Sequence, residues 1–214
     1  MSSENTRNVV SFTVSADEEV DQDFITITFQ AAESGTDPNK IQIELAKKLK
    51  LALDVVRPKK VDGEVNVRNG SFQIRPSYDK KGAINGYYGA VQMVVSGTDT
   101  KTVAGFTGEI SSMTILDTQH SVSPALRNAT EEKLSLAAIA LWREKGESYA
   151  QAFGSSAYLL VNADVRVDSG NHYPRSHGMR VMAASASMGG GAMEEEAGKE
   201  TLTATVSGNI QLVS

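Results

Sequence analysis

RPSYDKKGAINGYYGAVQMVVSG, residues 75–97, carries two extended apolar runs that are joined by a loop rich in lysine and glycine. In the second run Val91, Met93 and Val95 alternate with other residues, so they share one face of a strand. The run before the loop also alternates, and the pair predicts a long antiparallel hairpin. The segment has no cysteine, no histidine and a single acid, Asp79. It therefore indicates an architecture and not a reaction.

Glycine and tyrosine are the other distinctive residues of this segment. Glycine permits turns and close approach of neighbouring backbone, which we expect at Gly82, Gly86 and Gly89. Tyrosine offers a broad amphipathic face, and the segment contains Tyr78, Tyr87 and Tyr88. We interpret the segment as a folding signature in which the tyrosines pack. The alternative is that the tyrosines form a contact surface for a partner.

The sequence before the hairpin predicts two strands and a helix. NVVSFTVSAD and DFITITFQAAE alternate with a period of two, as strands do. DPNKIQIELAKKLKLALDVV has Asp37 at the N-cap position and Pro38 in the first helical position, followed by apolar residues at a spacing of three to four. This pattern predicts an amphipathic helix that packs on a sheet.

The sequence after the hairpin predicts a short helix, a strand and a long helix. Residues 96–112 place Val103, Phe106 and Ile110 on one helical side, and MTILDTQHSVS follows as a strand. The long helix extends from the N-cap Asn128 to Gly154 as the C-cap. Its predicted buried residues are Leu134, Ala137, Ala138, Leu141, Ala152 and Phe153.

Two further strands complete the pattern. AYLLVNADVRVDS and ETLTATVSGNIQLV both alternate, and residues 170–198 between them form a long excursion rich in Gly, Ser, Ala and Met. Strand pairs that alternate with helices predict an α+β fold, with antiparallel sheets covered by helices on one face. We interpret residues 8–213 as one domain, with a division into two α+β subdomains as the alternative.

Composition excludes several classes of protein. The net charge of -5 and the few tight basic groups argue against nucleic-acid binding, because phosphate contacts need clustered Lys and Arg. The apolar runs are too short for a transmembrane segment, and the polar start MSSENTRN is not a signal peptide. A chain whose signal peptide has been removed would look the same. The sequence has no cysteine, so thiol nucleophiles, disulfides and thiolate metal sites are absent.

The excursion offers two sets of metal-ligand types. Imidazole and carboxylate groups come from His172 and His177 and from the acidic run Glu194, Glu195 and Glu196. Pro174 interrupts the histidine pair and the spacing fits no helical pair, so we expect a solvated loop and assign no metal ligands.

Four of the seven methionines also lie in the excursion: Met179, Met182, Met188 and Met193. Thioethers are soft ligands for Cu(I) and are oxidisable. The competing interpretation, which we favour, is a flexible apolar loop that packs on a neighbouring subunit.

Catalysis has little support in the sequence. No Gly-x-Ser-x-Gly elbow occurs, and the acids that follow GGG in GGGAMEEE would repel phosphate. Asp117 and His120 lie three apart in a predicted strand, so they point to opposite faces. We predict no catalytic residues, no cofactor and no enzymatic activity.

The segment PSYD, residues 76–79, and the segment INGY, residues 84–87, resemble the central signature of the SIMPL domain family, the periplasmic immunogenic and oxidative-stress-defence proteins. The alanine-rich helix is similar at Ala138, Ala140, Arg143, Lys145, Ala150, Ala152 and Gly154, and the final strand is similar at Gly198 and Leu202. The resemblance covers about Val9 to Leu212, with departures at Trp142 and Gly146.

The resemblance implies an extracytoplasmic α+β domain that tends to assemble and has no settled catalytic activity. Our hypothesis from the sequence is therefore a non-enzymatic periplasmic protein that forms homo-oligomers and is linked to envelope or oxidative stress. The alternative is a metal- or oxidant-responsive binding protein that uses the Met- and His-rich excursion.

Overall fold

A computed structural model describes residues 8–168 and 198–213 of the chain. The described residues form strands and helices in the following order: β1 (Val9–Asp21), β2 (Phe24–Gly35), α1 (Pro38–Val56), a short 3-10 turn (Arg57–Lys59), β3 (Asn66–Tyr78), β4 (Ile84–Gly97), α2 (Thr100–Glu109), β5 (Thr114–Ser121), α3 (Pro124–Ala152), β6 (Ala157–Asp168) and β7 (Lys199–Val213). The strands build two antiparallel sheets, so the predicted α+β class is confirmed.

The chain divides into two compact units. The central unit, Asp21–Ser123, contains β2, α1, β3, β4, α2 and β5. The terminal unit combines β1 from the start of the chain with α3, β6 and β7 from its second half. That the two units act as one domain stays a prediction. The excursion predicted at 170–198 lies outside the described residues, apart from Gly198.

The central unit is built around the predicted hairpin. Its sheet has the order β3-β4-β2-β5, and β4 pairs antiparallel with both β3 and β2. Val91, Met93 and Val95 are buried on the face that contacts the helices, as their alternation predicts. Val103, Phe106 and Ile110 of the short helix region are buried in the same core, which confirms their predicted side.

Gly89 allows α1 to lie close to β4. A Cβ atom at this position would lie 2.5 Å from Ile41 Cγ2 and 2.8 Å from Leu45 Cδ1. Real Cβ atoms do not approach other atoms so closely, so a larger residue at position 89 would force the side chains of Ile41 and Leu45, or the helix that carries them, to shift. The predicted close approach at Gly89 is therefore confirmed.

The hairpin loop closes on the carboxylate of Asp79. Its Oδ1 accepts hydrogen bonds from the backbone N–H of Lys81 at 2.8 Å and of Ala83 at 2.9 Å. Gly82 has a φ of 80°, which is a left-handed conformation that glycine adopts without steric cost. The only acid of the segment therefore holds the turn.

The two helices of the central unit begin at aspartate caps. The backbone N–H of Asn39 donates to Asp37 Oδ1 at 2.9 Å, which confirms the predicted cap of α1. The backbone N–H of Thr102 donates to Asp99 Oδ1 at 3.0 Å at the start of α2. Hydrogen bonds from the Thr102 side chain and backbone hold the pKa of Asp99 below its usual value.

The terminal unit has a three-stranded sheet of order β1-β7-β6. β6 pairs antiparallel with β7, and Val165 lies opposite Val206. On the other side of β7, the N–H of Leu212 donates to the Asn8 carbonyl at 2.9 Å. The buried side chains of β7 are Leu202, Ala204, Val206 and Ile210, which all lie on the face toward α3.

The long helix α3 begins earlier than predicted. It starts at Pro124, so Asn128 lies inside the helix and the predicted N-cap at Asn128 is wrong. Proline suits the first helical position, where its fixed φ costs nothing and its missing N–H would have no partner. The end is as predicted, because Gly154 adopts a φ of 74° just after the last helical residue.

The buried face of α3 also differs from the predicted face. Its buried residues recur every four positions: Thr130, Leu134, Ala138, Trp142, Gly146 and Ala150. Leu134 and Ala138 are confirmed, whereas Leu141 is 45% exposed, Phe153 is 65% exposed, and Ala137 and Ala152 are exposed as well. Apolar residues occur all round this helix, so the sequence pattern does not define which narrow stripe meets the sheet.

Candidate functional site

An aromatic cluster holds α3 on the terminal sheet. The buried Trp142 ring stacks on Phe12 of β1, with a centroid distance of 4.8 Å. Tyr149, two turns further along α3, contacts Phe12 edge-on at 5.1 Å. Such aromatic pairs stabilise packing beyond the area they bury, so α3 is fixed over the β1–β7 side of the sheet.

Two glycines make room for aromatic rings between α3 and the sheet. A Cβ atom at Gly208 of β7 would lie 3.0 Å from Trp142 Cζ2 and 2.4 Å from the Asn162 carbonyl oxygen. A Cβ atom at Gly146 would lie 3.2 Å from Cζ of Tyr158. Trp142 and Gly146, the two departures from the family resemblance, are therefore both buried packing positions. The Trp142 ring lies against the small residue Gly208, and Gly146 is itself the small residue beside the Tyr158 ring.

The flanks of α3 face different strands. Lys133 Nζ pairs with Glu18 of β1 at 2.7 Å. On the other flank, the Tyr158 hydroxyl of β6 donates to the Arg143 carbonyl at 3.3 Å. Ile139 lies four residues before Arg143, so it belongs to the flank on the β6 side.

β6 exposes several large apolar side chains along its length. Leu159 and Leu160 are each 60% exposed, Val161 is 53% exposed and Val165 is 42% exposed. We call these four residues the β6 edge surface. β6 is an edge strand, and its outer side pairs with no strand within residues 8–168 and 198–213. The register between β6 and β7 shifts between Leu160 and Asn162, so Val161 forms a bulge.

The part of β6 after the bulge carries alternating charges on the opposite face from Val165. Arg166 Nε donates to Asp164 Oδ2 at 2.6 Å, and both side chains are largely exposed. Opposite them on β7 lie Thr205 and Ser207. This face of the sheet is therefore polar and the face toward α3 is apolar.

The polar face forms a shallow groove of about 400 Å³. Its polar lining residues are Ser11, Thr13, Asn162, Asp164, Ser207 and Asn209. The Asn162 side chain accepts a hydrogen bond from the Asn209 N–H at 3.0 Å, and Ser11 donates to the Asn209 side chain at 2.5 Å. The groove offers hydroxyl, amide and carboxylate groups, of which the Asp164 carboxylate is paired with Arg166 of the same strand.

The chain matches the model of a known protein family. Residues 10–210 match the model of the SIMPL family, which is described as a protein of unknown function (DUF541). The chain belongs to the SIMPL family. The resemblance inferred from the hairpin, the alanine-rich helix and the last strand is thereby confirmed. The comparison with curated proteins gave no match.

Most of the ligand types considered for this SIMPL chain lie outside the described residues. These residues are His172, His177, Met179, Met182, Met188, Met193, Glu194, Glu195 and Glu196. Within 8–168 and 198–213, no group of three or more His, Asp or Glu residues is arranged to hold a metal ion. In the same ranges, no helix is both long and apolar enough to cross a membrane.

The tyrosines of the SIMPL signature divide between packing and exposure. Tyr87 packs against the core of the central unit, and the Arg75 guanidinium lies 5.1 Å from the Tyr88 ring centroid. Tyr78, which precedes the turn, is 61% exposed. The packing interpretation therefore holds for Tyr87 and Tyr88 but not for Tyr78.

Asp117 and His120 do not form a catalytic pair. In β5, Asp117 lies opposite Thr28 and His120 lies opposite Ile25, which are on different faces of β2. The two side chains therefore lie on opposite faces, as their spacing predicts.

The sequence interpretation missed the β6 edge surface. One signal was present, because Leu159–Leu160–Val161 interrupts the alternation of the strand with three successive apolar residues. A second signal is that residues 157–168 contain neither lysine nor proline, the residues that commonly protect an edge strand. Neither signal shows that the strand lies at an edge, which depends on the pairing order of the sheet.

Proposed function

We propose that this SIMPL protein is a non-enzymatic, extracytoplasmic domain that assembles with further copies of itself. The observation that supports this proposal most is the β6 edge surface. An edge strand presents unpaired backbone N–H and C=O groups, and exposed apolar side chains beside them favour association with another chain.

The two edges of the terminal sheet differ in a way that supports assembly through β6. The other edge strand, β1, carries the acids Asp17, Glu18, Glu19 and Asp21 near its end. Charges on an edge oppose pairing with a second sheet. β6 has only the Asp164–Arg166 pair and Asp168 among its charged side chains, and that strand exposes the apolar surface.

Light scattering on the intact chain tests the proposal directly. We expect an oligomer at tens of micromolar protein. The double variant Leu160→Lys/Val165→Lys is expected to be monomeric, because two lysines on β6 would place like charges at the contact. Ile43→Lys is the matched control, since Ile43 is exposed on α1 of the central unit.

Two results decide the test. A monomeric intact chain would contradict the proposal of self-assembly. An oligomer that survives the β6 substitutions would instead place the contact elsewhere. Fluorescence of Trp142, the single tryptophan, checks that each variant keeps the terminal unit folded.

Location and physiological role are proposed on the resemblance described above. We propose that the protein acts outside the cytoplasm and contributes to the envelope or to defence against oxidative stress. Cell fractionation with an antibody to the chain tests the location, and the peroxide sensitivity of cells that lack the protein tests the role. Recovery in the cytoplasmic fraction would contradict the first proposal.

A second candidate function is soft-metal or oxidant binding by the methionine- and histidine-rich residues 170–197. The observation that favours it is the concentration of four of the seven methionines in this part of the sequence. Titration with Cu(I), on the intact chain and on a chain in which a short Gly-Ser linker replaces residues 172–196, separates this function from assembly. Equal binding by both chains would contradict it.

A further inference from the structure

We infer that the partner of β6 is β6 of a second copy, paired antiparallel in the register that places Val165 opposite the partner's Val165. This inference rests on the proposed self-assembly and specifies its contact. Such a contact has two-fold symmetry, so each pair of residues occurs twice.

The charges of β6 are complementary to themselves in this register. The residue before Val165 lies opposite the residue after Val165 in the partner. Asp164 therefore faces the partner's Arg166, and Arg166 faces the partner's Asp164. Asp164 and Arg166 pair with each other within β6, and both are largely exposed on the polar face, so each also has room to pair with the opposite charge of the second copy.

The apolar face agrees with the same register. Val165 and Val167 lie on the face of β6 toward α3, because they pair with the buried Val206 and Ala204 of β7. Val165 would meet the partner's Val165, and Val167 would meet the partner's Ala163. Cross-strand pairs of β-branched and other apolar residues stabilise a sheet.

The bulge at Val161 argues against other registers for the pairing of β6 with β6 of a second copy. Residues 162–168 are a regular stretch after the bulge at Val161, and the proposed register uses this stretch from end to end. A register centred on Leu160 would run across the bulge in both copies, which disrupts ladder hydrogen bonds. It would also leave Asp164 and Arg166 without opposite charges across the contact.

Cross-linking through an introduced cysteine tests the register. The chain has no cysteine, so Val165→Cys creates a single thiol. Directly opposed residues of antiparallel strands have Cα atoms about 4.5–5.5 Å apart, which lies within the range that a disulfide spans. We expect oxidation to give covalent dimers of Val165→Cys at least tenfold faster than of Ile43→Cys, which reports random collision, or of Leu160→Cys, which reports the rival register.

A charge exchange tests the pairing. Asp164→Arg and Arg166→Asp each bring like charges together at two symmetry-related places, so we expect each to weaken association about tenfold. The double variant Asp164→Arg/Arg166→Asp restores opposite charges and is expected to associate within about threefold of the unchanged chain.

The outcomes separate this inference from the proposed function. Faster cross-linking of Leu160→Cys than of Val165→Cys would overturn the register. Cross-linking of Val165→Cys no faster than of Ile43→Cys, with an oligomer still seen by light scattering, would overturn the inference and leave self-assembly standing. A double charge variant as weak as the single variants would overturn the charge pairing. A monomeric intact chain would overturn both proposals.

Discussion

β4 of the central unit and β6 of the terminal unit are both rich in valine, yet their surroundings differ. β4 pairs with a strand on each side and is covered by α1, and its Met93 and Val95 are fully buried. Within residues 8–168 and 198–213, β6 pairs on one side only, and its Leu160 and Val165 are exposed. Similar side chains are core residues in one strand and surface residues in the other. Burial here therefore follows from the number of neighbouring elements and not from residue type.

The hydrophobic cores of the two units also differ in the number of elements that contribute buried residues. The central unit has a continuous cluster of buried residues contributed by β2, β4, α1 and α2. The terminal unit buries one row of β7 against one stripe of α3. A narrower core leaves more apolar surface available to a partner.

The largest expected effect is a cavity in the central core. Phe29 of β2 has no exposed surface, so Phe29→Ala is expected to lower the free energy of unfolding by about 3–5 kcal/mol. Phe72→Ala on the edge strand β3 is the matched control, because Phe72 is 50% exposed and its loss is expected to cost less than about 1 kcal/mol. Denaturant unfolding followed by circular dichroism measures both. Equal losses of unfolding free energy in the two variants would contradict the expectation that a central strand stabilises the core more than an edge strand does.

Two leucines on α3 test which side of this helix is buried in the core of the terminal unit. Leu134→Ala is expected to lower the free energy of unfolding by about 2–5 kcal/mol, because Leu134 is buried against the sheet. Leu141→Ala is expected to change it by about 0.5 kcal/mol or less, since Leu141 is exposed. Trp142 fluorescence follows unfolding of this unit. A larger loss of unfolding free energy at Leu141 than at Leu134 would instead support the buried face of α3 that the sequence predicts.

Two glycines are expected to respond in opposite directions. Gly208→Ala in β7 is expected to cost about 1–3 kcal/mol, because the new Cβ would lie 2.4 Å from the backbone oxygen of Asn162, which cannot move independently. Gly105→Ala in α2 has open space around the new Cβ and is expected to stabilise the protein by about 1 kcal/mol through helix propensity. Denaturant unfolding of both variants tests this, and stabilisation by Gly208→Ala would contradict the close packing of Trp142.

The smallest expected effect is a pH dependence at the cap of α2. Hydrogen bonds with Thr102 hold the pKa of Asp99 below its ordinary value of 3.8. In the unfolded chain Asp99 titrates at that ordinary value, so it binds its proton at a higher pH than in the folded protein. The stabilisation that the ionised Asp99 gives is therefore fully present above pH 3.8 and is lost as the pH falls through the lower pKa of the folded state. Asp99→Asn removes this titration and keeps a capping residue. Unfolding between neutral and acid pH should therefore show a shallower decline for the variant, and parallel curves would contradict the role of Asp99.

Much of the local structure could be predicted from the sequence. The hairpin follows from alternation and glycine positions, and α1 follows from its Asp37–Pro38 start. Both signals are local, because a strand or a cap is specified by residues a few positions apart. The start of α3 was missed because a proline four residues before Asn128 was a better first helical residue.

The candidate site was harder to predict for a physical reason. The tyrosine signature was found, but only Tyr78 of its three tyrosines is exposed. The β6 edge surface was missed, because AYLLVNADVRVD has the same pattern whether the strand is central or at an edge. The edge position of β6 depends on the pairing order of the sheet, in which no further strand lies beside it within the described residues.

The family, the α+β class and the positions of most strands and helices could be predicted from the sequence, because periodicity, caps and turn residues act within a few residues along the chain. Three features required the three-dimensional structure: the burial of Trp142 over Gly208, the outward orientation of Leu141, and the edge position of β6 among the described strands. These features depend on contacts between segments far apart in the chain, and burial is a property of those contacts and not of any one residue.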